Sequence, residues 1–143
     1  RRGQMVDLGG GAYLQILFPD RDVSGLSTND GSLVMRLVYG DTSIALQGDS
    51  PQNIENFLIT SVDNLKSTIL KAGHHGSKTS SGEAYVKEVS PEWVIISAGK
   101  DNKYGHPNKE TIDTFGKLKI PYLITFNEGR IAFVSDGKDF VRK

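Results

Sequence analysis

The sequence predicts an α/β domain in which helices pack on a mixed sheet. Apolar runs separated by short turns fill the chain up to Leu46, whereas extended and helical patterns alternate after Asp49. Runs of strands followed by alternating helices and strands are typical of such a sheet. At 143 residues, the chain is most simply one domain over residues 1–143.

The N-terminal segments predict antiparallel hairpins. The glycines at 9–11 predict a hairpin turn before a strand over 12–18. A phosphate-binding loop is disfavoured there, because no G-K-[ST] or G-x-G-x-x-G pattern and no helix follows. A Ser/Asp/Asn/Gly-rich loop covers 20–31, and strands over 32–39 and 42–46 form the next hairpin.

The remaining segments alternate between helical and extended patterns. Ser50 is predicted to cap a helix whose first position is Pro51. Further helices are predicted to begin at 80–83 and 107–108. The extended segments are 65–70, 92–97, 122–125, 130–134 and 139–141.

Composition narrows the possible functions. Lys plus Arg equals Asp plus Glu at 17 each, which argues against a strongly basic nucleic-acid-binding surface. The absence of cysteine excludes disulfides and thiolate metal sites, so a metal would need His, Asp, Glu or backbone oxygen. No apolar run approaches the roughly 18 residues of a spanning helix, and no signal peptide is visible. Residues 1–4 lack an initiator Met, which suggests a piece of a longer protein; that protein could be extracytoplasmic, membrane-attached or secreted.

Three turns that follow predicted strands carry the candidate functional residues. Asp49 follows the strand over 42–46, His74 and His75 lie between two glycines after an apolar run, and His106 lies in Tyr104-Gly105-His106-Pro107. Functional residues of α/β sheets gather in loops beyond strand ends. Because His and Asp hold hard or borderline metal ions, these turns predict metal-assisted hydrolysis at a joint site.

Two polar residues on either side of the His74–His75 turn suggest a charged substrate. Lys71 could bind a phosphate oxygen as a point charge, and Ser77 could donate its hydroxyl. Simpler structural roles stay open, since Asp49 could be a first-turn helix acid, Lys71 a surface charge and His106 a helix cap. A catalytic triad using Ser77 is disfavoured, because no G-x-S-x-G elbow presents that serine.

Four motifs in order resemble those of metallo-β-lactamase-fold hydrolases, in particular the branch attached to the ComEC/Rec2 DNA-uptake channel. They are Asn-Asp-Gly-Ser-Leu-Val at 29–34, Leu-Gln-Gly-Asp at 46–49, Leu-Lys-Ala-Gly-His-His-Gly-Ser at 70–77 and Tyr-Gly-His-Pro at 104–107. The resemblance implies half of an αββα sandwich, with a mixed, mostly antiparallel sheet and helices on one face.

The resemblance also implies residue roles. Asp49 matches an acidic ligand that can bridge two metals, and one of His74 and His75 matches the last histidine ligand. Tyr104 and His106 would face the substrate, with His106 and Asp49 as the catalytic candidates. Asn29 stands where many relatives place a further histidine ligand, and Gln47 stands where relatives often have Thr.

The family's H-x-H-x-D-H motif does not occur in the chain, which resembles only the C-terminal half of the domain. We therefore expect one or two Zn²⁺ or Mn²⁺ ions in a complete domain acting on phosphoester or phosphodiester bonds, and no catalysis by this chain alone. The alternative is a non-catalytic α/β binding or structural lobe with a remnant metal site. An exposed sheet face is expected to be covered by the missing N-terminal half or by self-association.

Overall fold

A seven-stranded sheet forms the centre of the computed structural model, which describes all 143 residues. Its strands lie side by side in chain order. They are β1 (Met5–Gly9), β2 (Ala12–Phe18), β3 (Val34–Tyr39), β4 (Thr42–Gln47), β5 (Ile69–Lys71), β6 (Trp93–Ile96) and β7 (Tyr122–Ile124). A separate ribbon pairs β8 (Phe133–Ser135) with β9 (Phe140–Arg142).

The sheet changes direction at β4. The pairs β1–β2, β2–β3 and β3–β4 are antiparallel, and β4–β5, β5–β6 and β6–β7 are parallel. A helix lies in each connection after β4, namely α1 (Gln52–Ser61), α2 (Glu83–Val89) and α3 (Lys109–Lys117). Because a helical crossover returns the chain to the same end of the sheet, these strands run parallel. The sheet is mixed, as predicted. The prediction that it is mostly antiparallel is wrong, because three of its strand pairs are antiparallel and three are parallel.

One face of the sheet packs on the helices. Strand residues such as Val34, Ala45 and Leu70 share one core with Leu58 of α1 and Phe115 of α3. Burying such side chains contributes about 1.5–3 kcal/mol each.

The other face is less covered. Met35, Leu37 and Ile44 point to it and are partly exposed, since successive strand residues alternate between faces. Phe133 of the ribbon packs near Trp93 there, with ring centroids 6.2 Å apart. The chain contains this one large sheet, so the two-sheet αββα sandwich is not seen in it.

Several element boundaries differ from the prediction. Pro51, not Ser50, is the N-cap of α1, and no side chain caps that helix. Ser50 is buried, and its hydroxyl accepts a hydrogen bond from Gln47 Nε2 at 3.1 Å. The strand predicted over 65–70 is only Ile69–Lys71, because Asn64 Oδ1 accepts from the Lys66 amide and forms a local turn.

Strands β7 and β8 are also shorter than predicted, and β9 begins one residue later than predicted. A helical turn, α4 (Thr125–Glu128), occupies the expected strand connection, and β8 starts only at Phe133. The Thr125 hydroxyl bonds both the amide and the carbonyl of Ala98, which fixes the start of α4. None of the helices is long and apolar enough to span a membrane.

Candidate functional site

The three predicted turns meet at one edge of the sheet. They follow the neighbouring parallel strands β4, β5 and β6, whose carboxyl ends share that edge. The His74 amide donates to the Gly48 carbonyl at 2.9 Å, and the Asn108 amide donates to the Gly76 carbonyl at 2.9 Å. The turn after β5 is therefore bonded to the two turns that carry Asp49 and His106.

The turn after β5 is a tight 3₁₀ turn over Gly73–Gly76, here called the histidine turn. His74 and His75 both adopt left-handed backbone angles, with φ of 47° and 55°. A Cβ on Gly73 would lie 2.6 Å from the Gln47 side chain, and one on Gly76 would lie 2.7 Å from Pro107 Cβ. The glycines are thus needed for close packing, and of the two histidines only His75 is exposed.

His75 faces Asp49. Its Nε2 lies 3.7 Å from Asp49 Oδ1, and both side chains are about half exposed. Its Nδ1 lies 2.7 Å from the Ser97 carbonyl oxygen. A carbonyl can only accept, so Nδ1 carries a proton, and in the neutral ring the lone pair lies on Nε2, the atom nearest Asp49. Histidines that bind metals commonly hold their second nitrogen in this way.

The spacing of these two atoms fits a shared ion. Nitrogen and oxygen ligands about 2.0–2.2 Å from one zinc ion lie about 3.4 Å apart at a tetrahedral angle. The observed 3.7 Å between His75 Nε2 and Asp49 Oδ1 is close to that separation. However, no group of three or more His, Asp or Glu side chains converges in a way that could hold a metal. The chain therefore offers two converging ligands, fewer than zinc sites use.

His74 has a different environment from His75. It makes no ion pair with Asp49, and its ring packs edge-on against His106, with centroids 5.4 Å apart. Its Nδ1 is buried without a hydrogen-bond partner. The geometry thus favours His75 over His74 as the companion of Asp49, and leaves the buried Nδ1 of His74 unpaired.

His106 and Tyr104 line a pocket of about 190 Å³ beside the pair formed by Asp49 and His75. Their rings stack with centroids 5.7 Å apart, and Tyr104 is 66% exposed. Partial burial lowers the pKa of His106, and the charges of His74 and His75 lower it further while Asp49 opposes them. The lowered pKa favours the neutral ring of His106, which can accept a proton.

The structure gives Lys71 and Ser77 inward-facing contacts. Lys71 Nζ donates to the Gln47 carbonyl at 3.0 Å, and burial lowers its pKa while Asp49 opposes that shift. Ser77 is buried, and its hydroxyl bonds Thr79 Oγ1 at 3.0 Å. Neither residue lines the pocket, so the predicted substrate contacts of Lys71 and Ser77 gain no support from this geometry.

The segment at 29–34 reaches the site through Ser32. The Ser32 amide donates to the Asn29 carbonyl at 3.1 Å, and the Ser32 hydroxyl accepts from the Asp49 amide at 3.1 Å. The segment therefore supports the backbone of Asp49.

Asn102 is a structural residue that the sequence analysis missed. Its amide nitrogen donates to the carbonyls of Gly99 and His106, at 2.9 and 2.6 Å. Its oxygen accepts from the amides of Tyr104 and His106, at 3.2 and 3.0 Å. It thus fixes the loop that presents both pocket rings. The available signal was an Asp-Asn pair in a turn, where Asn side chains often bond nearby backbone.

The chain is similar to segments of three competence and recombination proteins. It is 37% identical over 107 residues to ComE operon protein 3 of Bacillus subtilis (strain 168). It is 34% identical over 109 residues to competence protein ComA of Neisseria gonorrhoeae. It is 32% identical over 121 residues to recombination protein 2 of Haemophilus influenzae (strain ATCC 51907 / DSM 11121 / KW20 / Rd).

These matches cover 75%, 76% and 85% of the chain but only 14%, 16% and 15% of the three relatives. No family model matches the chain. The similarities show that the chain is ComEC-related, and that it spans a small part of the length of these relatives.

Proposed function

We propose that this chain is one wall of a metal-dependent hydrolase site of the metallo-β-lactamase type, acting on phosphoester or phosphodiester bonds. The observation that carries the proposal is the approach of His75 Nε2 to Asp49 Oδ1, with the other ring nitrogen held by Ser97. Asp49 and His75 would hold Zn²⁺ or Mn²⁺, with His74 as a further candidate ligand. Such an ion would supply Lewis acidity and lower the pKa of a water molecule toward about 7.

Three residues around this pair would have separate roles in the proposed reaction. The Ser97 carbonyl keeps the ring of His75 oriented. Partial burial favours the neutral ring of His106, which can take a proton in the pocket. Tyr104 offers an exposed ring at the pocket rim for the group attached to the phosphoester.

The remaining ligands would come from outside this chain. Two converging donors do not complete a metal site, and the relatives that share this segment are much longer. We propose that a preceding segment of the longer protein, corresponding to an N-terminal half-domain, covers the partly exposed sheet face near Leu37 and Ile44. It would thereby bring further ligands to the edge where Asp49 lies.

The second candidate is a non-catalytic lobe with a remnant metal site. One observation favours it, namely that no group of three metal-binding side chains converges in the chain. In this case the histidine turn would only pack against the loop of His106.

Metal content separates the two candidates. The chain would be purified with and without the preceding segment and analysed by metal mass spectrometry. We expect bound metal when both segments are present, lost in Asp49→Ala and His75→Ala but retained in the exposed control Asp63→Ala. A bis-p-nitrophenyl phosphate assay on the same proteins tests hydrolysis. Metal-free protein in every preparation would favour the non-catalytic lobe.

A further inference from the structure

A buried carboxylate lies behind the site, away from the pocket. Glu55 is on the first turn of α1, between the core residues Ile54 and Leu58, and is 1% exposed. Burial raises its pKa, and hydrogen bonds from Gln47, Gly82 and Ser81 oppose that shift. An ionisable group in such a place is costly unless its oxygens are satisfied.

The oxygens of Glu55 accept three hydrogen bonds from two different parts of the chain. Oε1 accepts from Gln47 Nε2 and from the Ser81 amide. Oε2 accepts from the Gly82 amide at 2.8 Å. The carboxylate therefore joins the end of β4 to the segment just before α2.

Gln47 and Ser81, which both donate to Glu55, also contact the turn that carries the candidate ligand His75. Ser81 Oγ accepts from the Gly73 amide at 3.1 Å, and Gly73 opens the histidine turn. The Gln47 side chain packs directly against Gly73 and is two residues before Asp49. Glu55 thus lies between the turn that carries Asp49 and the turn that carries His75.

We propose that Glu55 is a positioning residue that fixes the separation of Asp49 and His75 through Gln47 and Ser81. It touches neither the pocket nor the candidate ligands. Its role at a metal site rests on the function proposed above, whereas its role in holding the histidine turn does not.

The hydrogen bonds require a carboxylate. An amide at position 55 would place a donor against the Gly82 amide, or against both Gln47 Nε2 and the Ser81 amide. Either orientation leaves a buried N–H without an acceptor. Glu55→Gln is therefore a nearly isosteric change that removes the positioning contacts while keeping the packing of α1.

Hydrogen exchange tests the positioning role without any metal. We expect the Gly73 amide to exchange about tenfold faster or more in Glu55→Gln. The change removes hydrogen bonds from the Ser81 and Gly82 amides and so loosens Ser81, whose hydroxyl accepts from the Gly73 amide. Glu88→Gln, an exposed change on α2, controls for charge. Val86→Ala, a core change on α2 outside these hydrogen bonds, controls for general destabilisation. Unchanged Gly73 exchange, or equal acceleration in Val86→Ala, would overturn the proposal.

Zn²⁺ affinity then tests whether Glu55 positions the candidate metal ligands. In the longer protein, under conditions where all variants are folded, we expect Glu55→Gln to bind Zn²⁺ at least tenfold more weakly, with Val86→Ala unchanged. An unchanged affinity would overturn the positioning of ligands. If the unsubstituted protein binds no Zn²⁺, the proposed function fails, and the exchange of Gly73 alone decides whether Glu55 holds the turn.

Discussion

The two histidines of the histidine turn share a backbone conformation but differ in surroundings. Both have left-handed angles, yet His75 is exposed toward Asp49 while His74 packs on His106. The sequence alone indicates the pair as a candidate site, since it lies between glycines after a buried strand. Which histidine faces Asp49 could not be recognised, because that depends on the turn geometry.

The backbone of His75 predicts an unusual order of stabilities. Gly tolerates a φ of 55° whereas Ala does not, and the penalty for an L-residue is about 1–2 kcal/mol. We therefore expect His75→Gly to unfold with a free energy about 1 kcal/mol higher than His75→Ala, although Gly normally destabilises. Urea unfolding of the two variants measures the difference. An Ala variant that is as stable as the Gly variant would contradict the left-handed turn.

Gly73 is expected to tolerate no side chain. An added Cβ would lie 2.6 Å from the buried Gln47 side chain, so Gly73→Ala should cost about 1–3 kcal/mol of unfolding free energy. Gly99→Ala is the matched control, because a Cβ there has open space. Thermal or urea unfolding of both variants checks this. Equal losses would mean that Gln47 moves aside at little cost.

At the scale of elements, α2 and α3 are joined by a charged contact. Glu83 bonds Lys117 of α3 and Lys87 of α2, each at 2.6 Å. These bonds lower the pKa of Glu83 from 4.5 to about 2. A lowered carboxylate pKa stabilises the fold above the unfolded-state pKa, and the contribution disappears as the pH falls through the folded-state value.

The stability difference between the unsubstituted chain and Glu83→Gln should therefore depend on pH. We expect it to be constant above about pH 5 and to shrink as the pH falls from about 4.5 toward 2. Urea unfolding across this range measures it, with Glu88→Gln, an exposed change on α2 outside this contact, as the control. High salt should reduce the effect, since the contact is exposed. A difference that grows with acid would contradict the assignment.

The order of elements and the pairing within the two hairpins could be predicted, but the pairing after β4 could not. The turn signals at Gly9–Gly11 and Gly40-Asp41 located both hairpins, and the helical spacing of Ile54, Phe57 and Leu58 located α1. Pairing after β4 depends on helix crossovers between distant segments. Glu55 directly follows Ile54 and lies three residues before Leu58, so the sequence places this acid near the buried side of α1. Only the fold shows that Gln47 and Ser81 surround it.

At the scale of the molecule, strand β1 is an exposed sheet edge. Met5, Val6 and Leu8 are 60%, 47% and 53% exposed. The unpaired backbone of an edge strand can pair with another chain, and apolar side chains strengthen that tendency. The partly exposed sheet face beside Leu37 and Ile44 adds to the apolar surface.

We expect the chain, produced without the preceding segment proposed above, to self-associate at high concentration. Light scattering after size exclusion should give a mass above 15.6 kDa that rises with concentration. The double change Val6→Lys and Leu8→Lys should reduce it, because charges on edge strands oppose pairing. Leu26→Lys, which charges an exposed loop leucine, is the control. A monodisperse monomer at every concentration would contradict the expectation.

The left-handed backbone angles of His74 and His75 also determine which residues the histidine turn can accept at these positions. Gly, Asn, Asp and His tolerate such angles better than other residues. A library randomised at positions 74 and 75, selected only for folded protein, should therefore enrich Gly, Asn and Asp. Selection for metal retention should instead return His at the positions that bind. The difference between the two enrichment profiles separates, position by position, what the backbone demands from what the chemistry demands.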